Sequence, residues 1–327
     1  MNFRKIFESF KDQDVLIIGD VMIDSYVEGK VNRISPEAPV PILNFAKREN
    51  RLGGAANVAL NIHSMGANPI ICSVIGNDEN ADVFLDLLKD ENISAEGIER
   101  SSERMTTVKT RIIGNNQQMI RIDEEDSHFL SGHEEEKFLN RVEKVMDSNT
   151  IQGIIFQDYN KGVLTEKVIQ KITDLANSKG IITTVDPKKL NFYAYENVTL
   201  FKPNLKELKE GMGVEFRDFK EGVLNSSGKL REKLNAKVVF TTLSEHGVFI
   251  TDENDHFFVP AHVRNIADVS GAGDTVISVA TLCMIAELDI KWVAELANLA
   301  GGMVCERVGV VSIDREALLN EVMKIYS

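Results

Sequence analysis

Short apolar segments alternate with longer amphipathic segments along most of this chain. The apolar segments have the length of buried strands, and they are Val15–Gly19, Pro69–Ile75, Ile151–Phe156, Ile181–Val185, Val198–Phe201 and Val238–Thr242. Helical spacing of apolar residues marks Ala55–Met65, Ala81–Lys89, Glu134–Met146, Thr165–Ser178 and Asp218–Leu234. This alternation predicts an α/β fold of three layers, a doubly wound and mostly parallel sheet between helices. Such sheets bind ligands at the carboxyl ends of their strands.

Two segments interrupt the alternation. Segment 25–52 contains the proline-rich run Ser35–Pro41, which excludes a helix there, and segment 104–122 is predicted to form a hairpin around Gly114-Asn115-Asn116. We expect the two segments to form a small β-lid, with ordinary edge strands as the alternative. No repeat, low-complexity tract or linker divides the chain, so residues 1–327 are predicted to be a single domain.

The chain is acidic, with a formal net charge of −13. Nucleic-acid binding requires a basic face, so the charge argues against a nucleic-acid partner but not against small phosphorylated ligands. Cys72, Cys283 and Cys305 lie far apart in apolar segments and are predicted to be buried free thiols. Charged residues interrupt the N-terminal segment, unlike a signal peptide, and no apolar run has membrane-spanning length. These features predict a cytoplasmic protein with no membrane partner.

The run DVSGAGDTV, which begins at Asp268, is the strongest candidate for chemistry. The turn Gly271, Ala272 and Gly273 precedes an apolar helical pattern, so its backbone N–H groups and the positive helix end can bind an anion such as phosphate. Asp274 follows directly. Since a carboxylate repels bound phosphate, we interpret Asp274 as a general base that deprotonates an attacking hydroxyl. A purely structural acid at the helix start is the alternative.

Two further motifs place small or polar residues at predicted helix starts. In Gly53-Gly54-Ala55-Ala56-Asn57, Gly53 and Gly54 let the backbone approach a ligand closely, and Asn57 offers an amide to a hydroxyl. Tight helix–strand packing would equally explain these glycines. Asn204 and Glu207 have the spacing of a capping box, although Glu207 could instead hold water around Mg²⁺ near phosphates.

Four basic residues are candidates for binding a substrate phosphate. Lys161 and Lys188 follow predicted strand ends, and Arg33 and Arg121 lie within the proposed lid. Solvated surface charges are the commoner role for such side chains. The chain contains no P-loop, dinucleotide fingerprint, nucleophile elbow or histidine metal motif, so the corresponding enzyme classes are disfavoured.

The runs Gly53–Asn57 and Asp268–Asp274, in this order, resemble the two signatures of the ribokinase (PfkB) family of sugar kinases. Four other runs are similar to the heptose 7-phosphate kinases of that family: Gly19–Asp24, Arg33–Pro41, Asn116–Arg121 and Asp186–Lys188. The similarity extends from about residue 12 to residue 314. It implies a ribokinase-like fold with a β-lid over the sugar.

The resemblance implies transfer of the ATP γ-phosphoryl group to the anomeric hydroxyl of D-glycero-β-D-manno-heptose 7-phosphate, giving the 1,7-bisphosphate. Asp274 would be the base, and the N–H groups of 271–273 would form the anion hole. The implied sugar-binding positions are Asp24, Gly53, Gly54 and Asn57. The implied ATP-binding positions are Asn204, Glu207, Thr242, Ser244, Gly247 and Asn298. Mg²⁺ is implied near Glu207, and K⁺, as in some members, at Asp268 and Ser270.

Three positions depart from the family pattern, and none is the implied base. Ser270 stands where the family usually has the last threonine of Asp-Thr-Thr or Asp-Val-Thr, and it keeps a hydroxyl. Leu243 replaces an arginine common in the heptose subgroup, and Gly309-Val310 replaces the usual Gly-Thr. Because the chain ends at Ser327, the resemblance also implies a separate adenylyltransferase enzyme, and lid strands that pair between subunits imply a homodimer. The alternatives are a kinase of another sugar or sugar phosphate, and an inactive sensor of sugar phosphate or nucleotide.

Overall fold

A computed structural model of the chain describes residues 1–262 and 264–326. Its strands are β1 Asp14–Gly19, β2 Val21–Ile34, β3 Pro41–Gly54, β4 Asn68–Gly76, β5 Ser94–Ser101, β6 Val108–Gly114, β7 Gln117–Glu124, β8 Gly153–Gln157, β9 Ile182–Asp186, β10 Leu200–Phe201, β11 Val238–Thr242, β12 Val248–Thr251 and β13 His256–Val259. Its α-helices are α1 Phe3–Ser9, α2 Ala55–Ser64, α3 Glu79–Asp90, α4 Gly132–Ser148, α5 Glu166–Lys179, α6 Leu205–Met212, α7 Phe219–Leu234, α8 Ala272–Ile285, α9 Ile290–Val304 and α10 Arg315–Tyr326.

Nine strands form one large sheet in the order β13-β12-β11-β10-β9-β8-β1-β4-β5. Every pairing is parallel except those of β12 with its two neighbours. The predicted α/β class with a mostly parallel sheet is therefore confirmed. Parallel strands end at the same edge, so the loops after β1, β8, β9, β10 and β11 converge there.

Helices cover both faces of this sheet, and the central strand β1 shows how. Its residues Val15 and Ile17 belong to one apolar core, with α1, α2, α8, α9 and α10. The alternate residues Leu16 and Ile18 belong to a second core, with α4, α5, α6 and α7. Successive side chains of a strand point to opposite faces, so a strand covered on both sides becomes a continuous apolar run.

A separate four-stranded sheet has the order β3-β2-β6-β7. It contains most of segments 25–52 and 104–122. Strands β2 and β3 are antiparallel, β2 and β6 are parallel, and β6 and β7 form a hairpin. Asn115 and Asn116 at the hairpin turn have φ of 52° and 62°, as a two-residue turn that matches the strand twist requires.

The register divides this small sheet into two faces. One face carries polar and charged side chains: Asp24, Tyr26, Arg51, Arg111 and Arg121. The other carries apolar side chains: Val27, Ile112, Ile120 and Ile122. Ile120 and Ile122 are 57% and 49% exposed, so part of the apolar face is uncovered in a single chain.

The cysteines and the helix lengths also bear on the predictions from composition. Cys72, Cys283 and Cys305 are buried free thiols, as predicted. Within residues 1–262 and 264–326, no helix has both the length and the apolar character needed to cross a bilayer.

Candidate active site

Asp274 lies in the first turn of α8 and is only 5% exposed. Its Oδ2 accepts a hydrogen bond of 2.7 Å from the amide of Asn57, in α2. Its Oδ1 accepts one of 3.1 Å from the amide of Gln157, at the end of β8, and one of 2.8 Å from the hydroxyl of Tyr159. These bonds tie the carboxylate to neighbouring elements rather than to the start of its own helix. Sequence reasoning proposed Asn57 but missed Gln157 and Tyr159.

The protonation of Asp274 depends on this environment. Burial raises its pKa to about 6, and the nearby Asp186 carboxylate adds to the rise. Hydrogen bonds from Asn57 and Tyr159 and the charge of Lys202 act in the opposite direction. Above about pH 6 the carboxylate is therefore ionised, and a base with a pKa near neutrality can accept a proton and release it again.

The glycine-rich turn lies directly beside this carboxylate. Gly271 has φ of 79° and is the N-cap of α8, and a Cβ there would lie 3.0 Å from the Asn57 amide nitrogen. The N–H group of Ala272 donates to the Val269 carbonyl oxygen over 3.3 Å, a long bond that an anion could replace. Because the first N–H groups of a helix have no partner within it, this turn has the form of an anion-binding site.

A buried ion pair lies on the other side of the turn. The amino group of Lys202, after β10, is 3.0 Å from Oδ2 of Asp186, at the end of β9. Both side chains are buried, and both would lie 3.7 Å from a Cβ at Gly273. The pair thus places one positive and one negative charge beside the start of α8. The sequence showed Lys202 only as a polar residue after a predicted strand.

Asn204 and Glu207 form a reciprocal capping box at the start of α6. One carboxylate oxygen of Glu207 accepts from the Asn204 N–H group at 2.9 Å, and the other lies 2.8 Å from the amino group of Lys188. Capping is thus one function of this pair. Within residues 1–262 and 264–326, no group of three or more His, Cys, Asp or Glu side chains is arranged to hold a metal ion. Glu207 is the residue that would hold water of a hydrated Mg²⁺, an ion that keeps much of its hydration shell and is bound mainly by phosphates.

The predicted sugar-binding residues lie where the small sheet meets α2. The Asp24 carboxylate forms an ion pair with Arg111, which sequence reasoning missed. A Cβ at Gly53 would lie 2.4 Å from the Asp24 carboxylate, and Gly54, with φ of 60°, would place one 2.4 Å from the Asp20 carbonyl oxygen. Close packing therefore requires both glycines, and it brings Asp24 and Asn57 to the same end of the main sheet.

The four predicted phosphate-binding cations occupy different surroundings. Lys161 is 2.7 Å from Glu125, and Lys188 is paired with Glu207 as described above. Arg121 is paired with Asp123 on the polar face of the small sheet, opposite Arg111. Arg33 is exposed at the other end of β2 from Asp24, so this chain does not bring it to its own site.

Three of the predicted nucleotide positions, Thr242, Ser244 and Gly247, lie at the end of β11 or directly after it. Thr242 is bridged to Asn204, and Gly247, with φ of 89°, would place a Cβ 2.1 Å from the Val259 carbonyl oxygen. Ser244, with φ of 55°, begins the short 3₁₀ turn between them. The Asn298 amide, on α9, donates to the Pro260 carbonyl oxygen over 2.9 Å. The Thr242 bridge places the end of β11 beside the start of α6, whereas the Gly247 and Asn298 contacts are made at the end of β13.

Leu243 and Val310, which depart from the family pattern, have apolar surroundings. Leu243 is fully buried in a small core with Val223 and Phe249, so this position contributes packing rather than a charge. Val310 lies against the anion-binding turn, since its Cγ1 would be 3.3 Å from a Cβ at Gly271.

The proposed cation loop is closed by Asp268. One of its carboxylate oxygens accepts from the Ser270 N–H group at 3.0 Å, and the other accepts from the Gly309 N–H group at 2.9 Å. The carboxylate thus joins the loop before α8 to the loop before α10.

Comparison with known proteins gives a consistent result. Residues 12–317 match the family described as pfkB family carbohydrate kinase. The bifunctional protein HldE of Methylobacillus flagellatus is 38% identical over 307 residues, which are 94% of this chain and 62% of that protein. The HldE protein of Helicobacter acinonychis is 37% identical over 308 residues, 93% of this chain and 66% of that protein. The chain thus spans a little under two thirds of these relatives.

Solved structures show the same fold at low sequence identity. Phosphofructokinase-2 from Escherichia coli in complex with potassium has a TM-score of 0.79 at 18% identity, covering 95% of this chain and 98% of that one. Arabidopsis thaliana ribokinase complexed with ribose and ATP has a TM-score of 0.72 at 15% identity, covering 94% and 98%. The predicted ribokinase-like fold is confirmed. The family match and the fold together show that this chain belongs to the pfkB family of carbohydrate kinases, phosphotransferases that act on a sugar hydroxyl.

Proposed function

We propose that this kinase phosphorylates the anomeric hydroxyl of D-glycero-β-D-manno-heptose 7-phosphate with ATP, giving the 1,7-bisphosphate and ADP. The observation that carries the proposal is the buried Asp274 carboxylate, held by Asn57 beside the N-terminus of α8. Similarity to HldE proteins over 93–94% of the chain supports a heptose phosphate over other sugars.

The proposed reaction is a single displacement. The anomeric oxygen bonds to the γ-phosphorus as its proton moves to Asp274, and the bond from the γ-phosphorus to the bridging oxygen of ADP breaks. The N–H groups of Gly271, Ala272 and Gly273 stabilise charge on the transferring phosphoryl oxygens, and the amino group of Lys202 adds a positive charge beside them. Such preorganised donors cost no reorganisation at the moment of transfer.

The nucleotide is proposed to lie along the loop after β11. The side chains proposed to contact it are Asn204, Glu207, Thr242, Ser244 and Asn298, with Gly247 giving the close backbone approach. Glu207 would hold water of a Mg²⁺ ion, which neutralises phosphate charge when bound. Asp268 and Ser270 would hold K⁺.

The polar face of the small sheet is proposed to bind the sugar phosphate. Asp24 and Asn57 would accept from and donate to sugar hydroxyls, while Arg111, Arg121 and Lys161 supply positive charge for the phosphate. Arginine pairs well with phosphate because its planar fork forms two parallel hydrogen bonds. Closure of this sheet over the sugar would exclude water from ATP.

The substrate is tested by ADP release with heptose 7-phosphate, fructose, fructose phosphates and ribose as acceptors. We expect the highest kcat/KM with heptose 7-phosphate. Turnover of ribose or fructose but not of the heptose would contradict the assignment. Binding of sugar phosphate and ATP without turnover of any acceptor would favour a sensor.

We also propose that two copies pair through the apolar face of their small sheets. Ile120, Ile122 and Phe45 are exposed in one chain, the last at 65%, and burial of such side chains favours association. The Ile120→Asp variant is expected to sediment as a monomer when the parent sediments as a dimer. Ile325→Asp, at an exposed position on α10, is the matched control. A monomeric parent, or a variant that stays dimeric, would contradict this interface.

The cellular setting follows from the proposed substrates. ATP and a sugar phosphate are available in the cytoplasm, which is where we place the protein.

A further inference from the structure

The carboxylate of Asp20, between β1 and β2, is buried and takes no part in the proposed reaction. It accepts three backbone hydrogen bonds from the loop after β8. The donors are the N–H groups of Tyr159, Lys161 and Val163, at 2.8, 3.0 and 3.2 Å. A single carboxylate therefore determines the path of five consecutive residues.

The same loop is held from its outer side. A guanidinium nitrogen of Arg104 donates to the Lys161 carbonyl oxygen over 3.1 Å. Asn160 has φ of 56° and Gly162 has φ of 88°, and a Cβ at Gly162 would lie 1.9 Å from the His128 carbonyl oxygen. With its backbone fixed on both sides, the loop has little freedom to move Tyr159.

The loop delivers the Tyr159 hydroxyl to the proposed base. That hydroxyl is 2.8 Å from Oδ1 of Asp274, and the Gln157 amide is 3.1 Å from the same oxygen. Burial, followed by the carboxylates of Asp274 and Asp186, raises the pKa of Tyr159 well above its ordinary value, so the hydroxyl is protonated and donates. Each carboxylate oxygen accepts about two hydrogen bonds. Oδ1 is therefore saturated, whereas Oδ2 has the Asn57 amide as its one donor among the described residues.

We propose that Tyr159 is a positioning residue that occupies Oδ1 of Asp274 and so reserves Oδ2 for the acceptor hydroxyl. Its position depends on Asp20, which anchors the loop. In the transfer step the hydroxyl proton moves to Oδ2, the acceptor oxygen bonds to the γ-phosphorus, and the bridging oxygen leaves with ADP. This inference rests on the proposed function, because it refines the geometry of the same base.

The Tyr159 hydroxyl also acts on the charge of Asp274. The titratable groups around that carboxylate are Asp186, Lys188, Lys202 and Tyr159. Removal of the hydroxyl leaves the three other groups and the Asn57 and Gln157 amides in place. Because a donated hydrogen bond favours the ionised form, the Tyr159→Phe change raises the pKa of Asp274.

The test compares Tyr159→Phe with Tyr195→Phe in the full chain. Tyr195 is a fully buried tyrosine whose hydroxyl donates over 2.8 Å to Asp158, so its variant makes the same chemical change away from Asp274. The Asp274 side-chain carbon is followed by NMR titration in chain labelled with ¹³C-aspartate, and the Asp274→Asn variant assigns its signal. The pH profile of kcat is measured alongside.

For Tyr159→Phe we expect the Asp274 titration and the acidic limb of kcat to move to higher pH by about one unit. At pH 8, kcat should fall about tenfold through poorer orientation of the carboxylate, with KM for ATP unchanged. Tyr195→Phe should reproduce the parent titration and profile. Asp20→Asn, which leaves one acceptor oxygen for three N–H groups, should move the titration in the same direction as Tyr159→Phe.

The two measurements separate this inference from the proposed function. A parent chain that phosphorylates no sugar phosphate refutes the proposed function, and the titration still tests the tyrosine. An Asp274 titration in Tyr159→Phe that coincides with the parent overturns the inference, whatever the activity. An equal shift in Tyr195→Phe also overturns it, since the effect would then be a general result of losing a buried hydroxyl.

Discussion

The Asp274→Asn variant is expected to lose phosphoryl transfer by a factor of about 10³ while still binding ATP. Asparagine keeps the shape of the side chain, but it cannot take the proton of an attacking hydroxyl. Steady-state kcat and equilibrium binding of ATP are the two measurements. A variant with unchanged kcat would refute the assignment of the base. A variant that no longer binds ATP would show instead that the substitution disturbs the anion-binding turn.

The same variant is expected to be more stable than the parent at pH 8. Burial raises the pKa of Asp274 from 3.8 to about 6, so the native state binds the proton more tightly than the unfolded chain. The protonated Asp274 side chain therefore stabilises the native state fully below about pH 4, and this stabilisation is lost as the pH rises towards 6. Removing the charge should recover up to about 3 kcal/mol of unfolding free energy at pH 8, and much less at pH 4.5.

Asp268→Asn is the matched control for this stability effect, because its expected sign is opposite. Although burial acts to raise it, hydrogen bonds from the N–H groups of Ser270 and Gly309 lower the pKa of Asp268. The ionised form is thus favoured in the native state, and the variant should lose stability at pH 8. Urea unfolding at pH 4.5 and pH 8 measures the free energy of unfolding of both variants against that of the parent. Destabilisation of Asp274→Asn at pH 8 would mean that its hydrogen bonds outweigh the cost of burying the charge.

Much of the fold could be predicted from the sequence because burial leaves a periodic pattern. The β1 run Val15–Ile18 is apolar at every position, as a strand covered on both faces must be, and α2 begins at Ala55 as its spacing predicts. The predicted strand Val198–Phe201 is shorter in the structure, where β10 has two residues, Leu200 and Phe201. Strands β5, β12 and β13 were not predicted. Strands β5 and β13 lie at the sheet edges, and β12 and β13 have only four residues each.

The candidate site could be predicted only where its residues are neighbours in the sequence. The turn before Asp274 could be recognised because glycines, an acid and a helix start are consecutive. The partners of Asp274 could not, since Gln157 and Tyr159 are more than a hundred positions away and meet it through strand order. Lys161 and Lys188 were correctly recognised as following strand ends, but their carboxylate partners depend on tertiary contacts that periodicity does not record.

The pairing of Lys202 with Asp186 could not be predicted from the sequence either, because the two residues meet only through the order of the strands. Their 3.0 Å ion pair is buried between the ends of β9 and β10, beside Gly273. Removing one partner of a buried pair leaves an uncompensated charge and typically costs about 3–5 kcal/mol. The Lys202→Met variant should lose stability of this order in urea unfolding. Lys206→Met, at an exposed lysine nearby on α6, should lose almost none.

Stability and catalysis can be separated by adding Asp186→Asn to Lys202→Met. The double variant has no unpaired charge, so it should recover most of the lost unfolding free energy. It should not recover activity, because the positive charge beside the transferring phosphoryl group is still absent, and we expect kcat to stay about 10²-fold below the parent. Recovery of both would show that Lys202 only balances Asp186 and contributes nothing to transfer. Recovery of neither would mean that Lys202 is needed for packing, since asparagine and methionine would then fail to fill the space of the pair.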